Sequence, residues 1–427
     1  MGWVILISIF VLLALNVPIG LCLGMASVIA IVVSGAGTLN AAPHLIFAGL
    51  NSFALMAIPL FILAGEIMNT GGITQRLVDF SKCLVGHFRG GLAFVTIVAG
   101  MIMAGVSGSA VADTAALGAI LIPAMVLSGI DKGYAAGLVA LAGTIGIIIP
   151  PSIPMVLYGV TANVSIGALF LGGVIPGMMV GFGLMIVTYF RAKKYNYPRG
   201  EKSSLSNTWK TFKSSAWAMV MPVIILGGIL TGVATPTESA VVAVAYGFVV
   251  GLFIYRELKL TDLPRICFET AKSTAIIMIL VGMSQLLGWV LTYENIPQQI
   301  VAFFTNLPVH KFMIFLFLDI LLLIAGFFMH GPAMIVVLAP IMLPIVTALG
   351  MDPVQFGLVF TIAVAIGGLT PPVAACLFVV ASLANLPLIR VLKPMAWMLA
   401  AISVVFFMVT YIPFLSLFIP KLFYGLK

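Results

Sequence analysis

A cassette of small residues and prolines occurs twice in this chain, at a constant offset of 221 residues. The first copy carries Ala104-Gly105, Pro123, Gly129-Ile130-Asp131, Gly146 and Pro150-Pro151; the second carries Ala325-Gly326, Pro344, Gly350-Met351-Asp352, Gly367 and Pro371-Pro372. Leu117/Leu338, Ile120/Ile341 and Ile145/Ile366 keep the same register. Interrupted apolar segments at matched positions in two halves of a membrane protein point to a transporter binding site.

The surrounding sequence fixes the solvent. Only 7% of residues are charged and 62% are hydrophobic, and apolar stretches near 20 residues recur from end to end. That pattern implies an all-α polytopic membrane protein, not a soluble domain or a β-barrel. The first stretch reads as a retained helix and not as a signal peptide. The net charge of +8 sits in short loops between spans, which orients the chain in a bilayer and argues against nucleic acid. The four cysteines, Cys22, Cys83, Cys267 and Cys376, form no CxxC and read as reduced thiols.

Spans are expected near 3–16, 18–34, 46–70, 133–164 (broken), 167–190, 215–232, 237–255, 273–293, 355–386 (broken) and 395–419. Between them lie two apolar blocks, 91–128 and 312–349, each with a small or polar middle. Each arm has roughly 15–17 residues, or roughly 22–25 Å of helix. The hydrocarbon core is about 30 Å thick. The blocks therefore read as re-entrant hairpins; two tilted spans joined by a tight turn is the competing reading. The hairpins place Arg76, Lys82, Arg89, Lys132, the seven basic residues from Arg191 to Lys213, Arg256, Lys259, Arg265, Lys272, Arg390 and Lys393 on one side. Only Lys311, Lys421 and Lys427 fall opposite, a split of 17 to 3 that assigns the first set to the cytoplasm. The domain reading follows: a first inverted repeat at 1–190, a basic cytoplasmic linker at 191–214, and a second repeat at 215–427.

The prolines locate the chemistry. Without an N–H, Pro150 and Pro151 free the carbonyls of Gly146 and Ile147, and Pro371 and Pro372 free those of Gly367 and Gly368. Unpaired carbonyls in hydrocarbon cost several kcal/mol each, so a partner is required. A desolvated Na+ suits such oxygens, with Ser107, Ser109 and Thr370 hydroxyls adding ligands; a kink solvated by neighbouring helices is the alternative. Ser109 and Asp113 share a helical face. Asp113 reads equally as a functional carboxylate or as a local cap. Glu238, in Thr235-Pro236-Thr237-Glu238, reads as a helix cap. Glu66 and Asp319 have no evident partner, and His330 sits at the second hairpin tip. No Lys or Arg lies mid-span, no Walker motif or triad is present, and the histidines lack metal-ligand spacing.

These residues carry a resemblance. Ile58-Pro59-Leu60-Phe61-Ile62-Leu63-Ala64-Gly65, Ala104 to Asp113, Ile149-Pro150-Pro151-Ser152, Thr235-Pro236-Thr237-Glu238 and Gly367-Gly368-Leu369-Thr370-Pro371-Pro372 resemble the large membrane (M, DctM-like) subunit of tripartite ATP-independent periplasmic (TRAP) transporters over nearly the whole chain. The resemblance implies a multi-pass protein of the bacterial inner membrane that works as an elevator with two or more Na+. It implies a small four-helix (Q) subunit and a periplasmic substrate-binding (P) protein as partners. The imported organic acid would be sialic acid first, or a C4-dicarboxylate. Carried over residue by residue, one Na+ site takes Ser107, Ser109, Gly146, Ile149 and Pro150. The second takes Gly326, Met329, Gly367 and Thr370, and substrate lies near Ser109, Asp113, Ser152 and Gly331. Rival readings are a stand-alone divalent-anion/sodium symporter, a channel, or a membrane-embedded lipid-modifying enzyme with Ser107 or Asp113 catalytic.

Overall fold

The computed structural model describes residues 2–35 and 39–425, so Lys427 lies outside the described residues. Helices account for every regular element among them. The first half runs α1 (Gly2–Ala14), α2 (Ile19–Ser34), α3 (Ala41–Leu50), α4 (Ala57–Thr70), α5 (Ile73–Val85), α6 (Gly91–Ser107), α7 (Ala110–Leu127), α8 (Lys132–Thr144), α9 (Ile153–Ala162) and α10 (Ile166–Lys194). The second runs α11 (Leu205–Leu230), α12 (Pro236–Val249), α13 (Leu263–Tyr293), α14 (Ile296–Thr305), α15 (Lys311–Phe328), α16 (Gly331–Ala348), α17 (Pro353–Gly367), α18 (Ala375–Leu383), α19 (Leu388–Tyr411) and α20 (Phe414–Tyr424). Nine helices among the described residues are long and apolar enough to cross a membrane. Large apolar side chains such as Trp3, Phe10, Phe47, Phe182, Phe253 and Trp397 are exposed, as lipid contact requires.

The repeated cassette becomes repeated structure. Helix ends at Ser107/Phe328 and Leu127/Ala348, and starts at Ala110/Gly331 and Lys132/Pro353, all fall 221 apart. Local chemistry sets these boundaries. Gly129 and Gly350 take φ of +85° and +87°, a left-handed conformation that ends α7 and α16 without a Cβ penalty. Asp131 then accepts the Tyr134 N–H at 2.8 Å and Asp352 accepts the Val354 N–H at 2.7 Å, capping α8 and α17. The chain also breaks where expected between α1 and α2 and between α11 and α12.

Two expected spans need correction. The span expected at 46–70 is interrupted: α3 stops at Leu50, Ser52 is extended, and one 3₁₀ turn (Phe53–Met56) leads into α4. Asn51 and Ser52 have short polar side chains that compete with the helical backbone. The span expected at 395–419 divides into α19 and α20 because Pro413 lacks an N–H and pushes Ile412 out of the helical region (φ −120°, ψ 88°). The linker at 191–214 is largely helical, leaving 195–204 as the connection between α10 and α11. The short helices α5 and α14 were not anticipated; they start at Ile73 and Ile296, 223 residues apart. The hairpin arms have 17, 18, 18 and 18 residues, slightly longer than expected. At 1.5 Å per residue they reach about 27 Å, and α7, α15 and α16 are among the nine helices long and apolar enough to cross.

The loops assigned to one membrane side meet in space. Gly90 donates to Pro198 O at 2.8 Å, Arg76 pairs with Glu257 at 2.7 Å, and Arg191 approaches Asp131 at 4.0 Å. The two halves interlock crosswise. α18, the far half of the second broken helix, packs on α7 and α8; α9, the far half of the first, packs on α16.

Candidate functional site

The first hairpin tip lies against the first helix break. α6 ends at Ser107, Gly108 turns with φ +64°, and Ser109 caps α7 by accepting the Ala112 N–H at 3.4 Å. A Cβ on Gly108 would lie 2.8 Å from Pro151 O, so only glycine lets the tip seat on the break. Gly65 of α4 supports the tip from behind, within 3.1 Å of Ser107 O for an added Cβ.

Asp113, one turn into α7, is fully buried. Its Oδ1 accepts a hydrogen bond from Ser107 Oγ, and its Oδ2 has no hydrogen-bond partner. A Cβ added to Gly146 would collide with that oxygen, which places the carboxylate directly on the 3₁₀ turn (Ile145–Ile147) at the end of α8. Pro150 supplies no N–H to Gly146 O, and the Ile148 and Ile149 N–H groups both turn to Ile145 O. Beside Asp113, the buried Thr114 Oγ1 lies where a Cβ on Gly143 would sit. Carboxylate, hydroxyl and carbonyl oxygens thus converge on a helix C-terminus, which carries partial negative charge. Among the described residues no Lys, Arg or His forms an ion pair with Asp113. Among the described residues no cluster of three or more His, Cys, Asp or Glu exists. A monovalent, oxygen-seeking cation fits this set, and an anion is repelled by it.

Other carbonyls that the prolines release are taken up within the chain. Ser152 caps α9 by accepting the Met155 N–H at 3.3 Å, and its hydroxyl donates to Ile147 O at 2.6 Å. Gly367 O accepts the Thr370 N–H at 3.2 Å, and Gly368 O accepts the Cys376 N–H at 3.0 Å. Of the four carbonyls, Gly146 O alone has no donor among the described residues, because short polar side chains and a returning backbone satisfy the rest. A carbonyl has two lone pairs, so the bonded three retain a face for a cation.

At the second tip, Gly326 and Gly367 approach so closely that a Cβ on Gly367 would lie 2.5 Å from Gly326 O. Phe327 O accepts the Val373 N–H at 3.1 Å, tying tip to break. Thr370 Oγ1 donates to Ile366 O at 3.0 Å. Gly331 starts α16 against Val364 of α17, while Met329 and His330 are extended and His330 is exposed. Both Pro-Pro bonds, Pro150-Pro151 and Pro371-Pro372, are cis. The structure therefore groups Ser107, Asp113 and Gly146 in one place and Gly326, Gly367 and Thr370 in another; Ile149 and Pro150 line the first break. Ser109 and Ser152 spend their side chains on helix caps. Glu238 forms the expected capping box with Thr235. Thr114 and the partner of Asp319, Thr410, were missed. Thr114 follows an already conspicuous Asp113, but Thr410 is 91 residues from Asp319 and has no local signal.

A family model described as tripartite ATP-independent periplasmic transporter, DctM component, matches residues 6–415. The C4-dicarboxylate TRAP transporter large permease protein DctM of Pseudomonas aeruginosa is 40% identical over 399 residues, 93% of this chain and 93% of that protein. The isethionate TRAP transporter permease protein DctMQ of Oleidesulfovibrio alaskensis is 40% identical over 411 residues, 95% of this chain and 64% of that protein. The sialic acid TRAP transporter large permease protein SiaM of Vibrio cholerae is 36% identical over 414 residues, 97% of each. Among solved structures, the Alcanivorax borkumensis YdaH transporter shares the fold, with a TM-score of 0.61 over 86% of both chains at 13% identity.

Proposed function

This chain belongs to the DctM component family of tripartite ATP-independent periplasmic transporters, and from that premise we propose that it imports an organic acid across the bacterial inner membrane, driven by Na+. It is a transporter permease and not an enzyme. The observation that carries Na+ coupling is the unpartnered Asp113 carboxylate oxygen facing Gly146, whose carbonyl receives no donor. Asp113 belongs with the cation, together with Ser107 and Gly146, and not with the anionic substrate. One Na+ neutralises the carboxylate, and binding it draws tip and break together. The second site, at Gly326, Met329, Gly367 and Thr370, is built from backbone oxygens and one hydroxyl. The substrate acid lies between the tips, near Ser109, Ser152 and Gly331, where α7 and α9 begin and their N–H groups favour an anion.

The halves act as an inverted repeat. Hairpins α6–α7 and α15–α16 are re-entrant, since each tip touches the middle of a broken helix. They move with the broken helices α8–α9 and α17–α18 as the carrier of an elevator against a scaffold of the remaining spans. A small four-helix Q-type subunit completes that scaffold, as the family implies. A periplasmic binding protein delivers the acid. The relatives support small carboxylates or sulfonates as the class, with C4-dicarboxylates and sialic acid as the first acids to try.

The test is uptake of a labelled acid into proteoliposomes containing both membrane subunits, with and without the binding protein, under an imposed Na+ gradient. Accumulation that needs both Na+ and the binding protein supports the proposal. Equal accumulation in Na+-free buffer removes Na+ coupling, and uptake independent of the binding protein selects a stand-alone symporter.

A further inference from the structure

A second carboxylate is buried far from the hairpin tips. Asp319, on α15, is 2% exposed. Its Oδ1 accepts from Thr410 Oγ1 of α19 at 3.2 Å, but the same hydroxyl also lies 3.3 Å from Phe406 O, so one proton is shared. Its Oδ2 is buried without a partner. Thr410 is the penultimate residue of α19, so the carboxylate also faces the negative end of that helix.

The surroundings offer no counter-charge. α16 contains no ionisable residue. On α17, Asp352 caps the helix start and Gln355 donates to Val409 O and Thr410 O at 3.0 and 2.8 Å. On α19, Tyr411 donates to Phe312 O at 3.2 Å, and Arg390 and Lys393 lie at the opposite end. His310 and Lys311 sit at the exposed start of α15, eight or more residues away, about 12 Å along the helix. The carbonyls of Val409 and Thr410, at this end of α19, already accept from Gln355. A buried carboxylate oxygen with no donor and no counter-charge is neutralised most simply by a proton.

The pseudo-symmetry shows that the fold does not demand a carboxylate here. Subtracting 221 from 319 gives Val98, an apolar residue of α6. Gln355 corresponds to Tyr134 (355 − 221) and Thr410 to Thr188 (410 − 222). In the first half those two satisfy each other, Tyr134 Oη to Thr188 Oγ1 at 2.9 Å, with the Arg191 guanidinium 4.2 Å above the tyrosine ring. The second half replaces this closed pair with an acid whose Oδ2 lacks a donor.

We propose that Asp319 is a proton-binding site, protonated on Oδ2 in this conformation. The proton comes from water at the outer end of α15, on the topology proposed above. Losing it leaves an unpaired charge in a dry helix interface, which loosens the second hairpin from α19 and couples transport to external pH. This proposal does not rest on Na+ coupling.

The experiment is infrared difference spectroscopy of the reconstituted complex across pH, paired with uptake measured at saturating Na+. Wild type should show a protonated-carboxyl band at neutral pH that is missing in Asp319→Asn and indifferent to Na+. Asp319→Asn, which mimics the protonated form, should keep uptake within about twofold of wild type at neutral pH and lose the alkaline decline. Thr410→Val, which removes the only donor to the ionised form, should move that decline to higher pH, and it serves if the Asn variant does not fold. A band unaffected by Asp319→Asn, a band abolished by Na+, or pH profiles identical in wild type and the folded variants would overturn the proposal.

Discussion

The two hairpin tips share a backbone plan and differ in charge. In register, Ser107, Ser109 and Asp113 of the first tip stand where the second has Phe328, His330 and Met334. Both tips seat on a glycine at the end of a broken helix, Gly146 or Gly367, too close to admit a Cβ. Only the first leaves a carboxylate oxygen and a carbonyl without donors. At the second, the freed carbonyls of Gly367 and Gly368 find backbone N–H groups. Duplicated geometry therefore supplies two cradles, and side chains decide how strongly each attracts a cation. The charged site should govern Na+ affinity, while the neutral one should respond more weakly.

The largest effect should come from removing the charge. Asp113→Asn is expected to lower Na+-driven uptake by about 100-fold, or about 2.7 kcal/mol, whereas Met334→Leu, a near volume-conserving change, should cost less than about 1.5 kcal/mol of stability. Uptake and thermal unfolding of the two variants read this difference. Equal losses of uptake in both would show that position, not charge, matters.

Gly146→Ala should follow, since its Cβ is forced onto Asp113 Oδ2; overpacking costs about 1–3 kcal/mol. A Na+ titration of uptake should show a raised half-saturation concentration. Gly367→Ala wedges backbone from backbone at Gly326 and should lower thermal stability at least as much, with the smaller change in Na+ dependence. The reverse ranking would assign the dominant ion to the second tip.

Ser107→Ala removes the one hydrogen bond that orients Asp113. Such bonds to charged groups are worth about 1.5–3 kcal/mol, so roughly a tenfold rise or more in the Na+ requirement is expected. Thr370→Ala deletes a hydroxyl already donating to Ile366 O and should shift the requirement by only a few-fold, near 1 kcal/mol. Smallest of all, Asp131→Ala and Asp352→Ala remove matched helix caps. Each should cost about 1 kcal/mol in thermal unfolding, equally in both halves. A large inequality there would mean that the repeat is less regular than its helix boundaries indicate.

Much of this architecture was legible from residues alone. Proline, glycine and aspartate act through local backbone geometry, so Pro150-Pro151, Gly129 and Asp131 announce breaks and caps wherever they stand. Their recurrence 221 residues later exposed the pairing of the halves. The Asn51-Ser52 interruption and the division at Pro413 were written in equally local chemistry but were hidden by the surrounding apolar run. The site was legible in its members and not in its bonds. Sequence spacing paired Asp113 with Ser109 on one helix face, whereas the turn at Gly108 swings Ser107 back to take that role. Satisfaction of Ile147 O by Ser152 and of Gly368 O by Cys376 depends on how the chain returns after each cis proline pair, which residue type does not reveal. The Asp319–Thr410 contact joins α15 to α19 and exists only once the second half has packed.

The most direct test of the central claim, that a cation held by Asp113 joins the first tip to the first break, is Na+-dependent thermal stabilisation of the purified complex at constant ionic strength, with K+ as the replacement ion. Binding to the folded state alone raises stability with ligand concentration. Wild type should unfold at progressively higher temperature as Na+ replaces K+, and Asp113→Asn should lose most of that shift while remaining folded. An undiminished Na+ shift in folded Asp113→Asn would contradict the account.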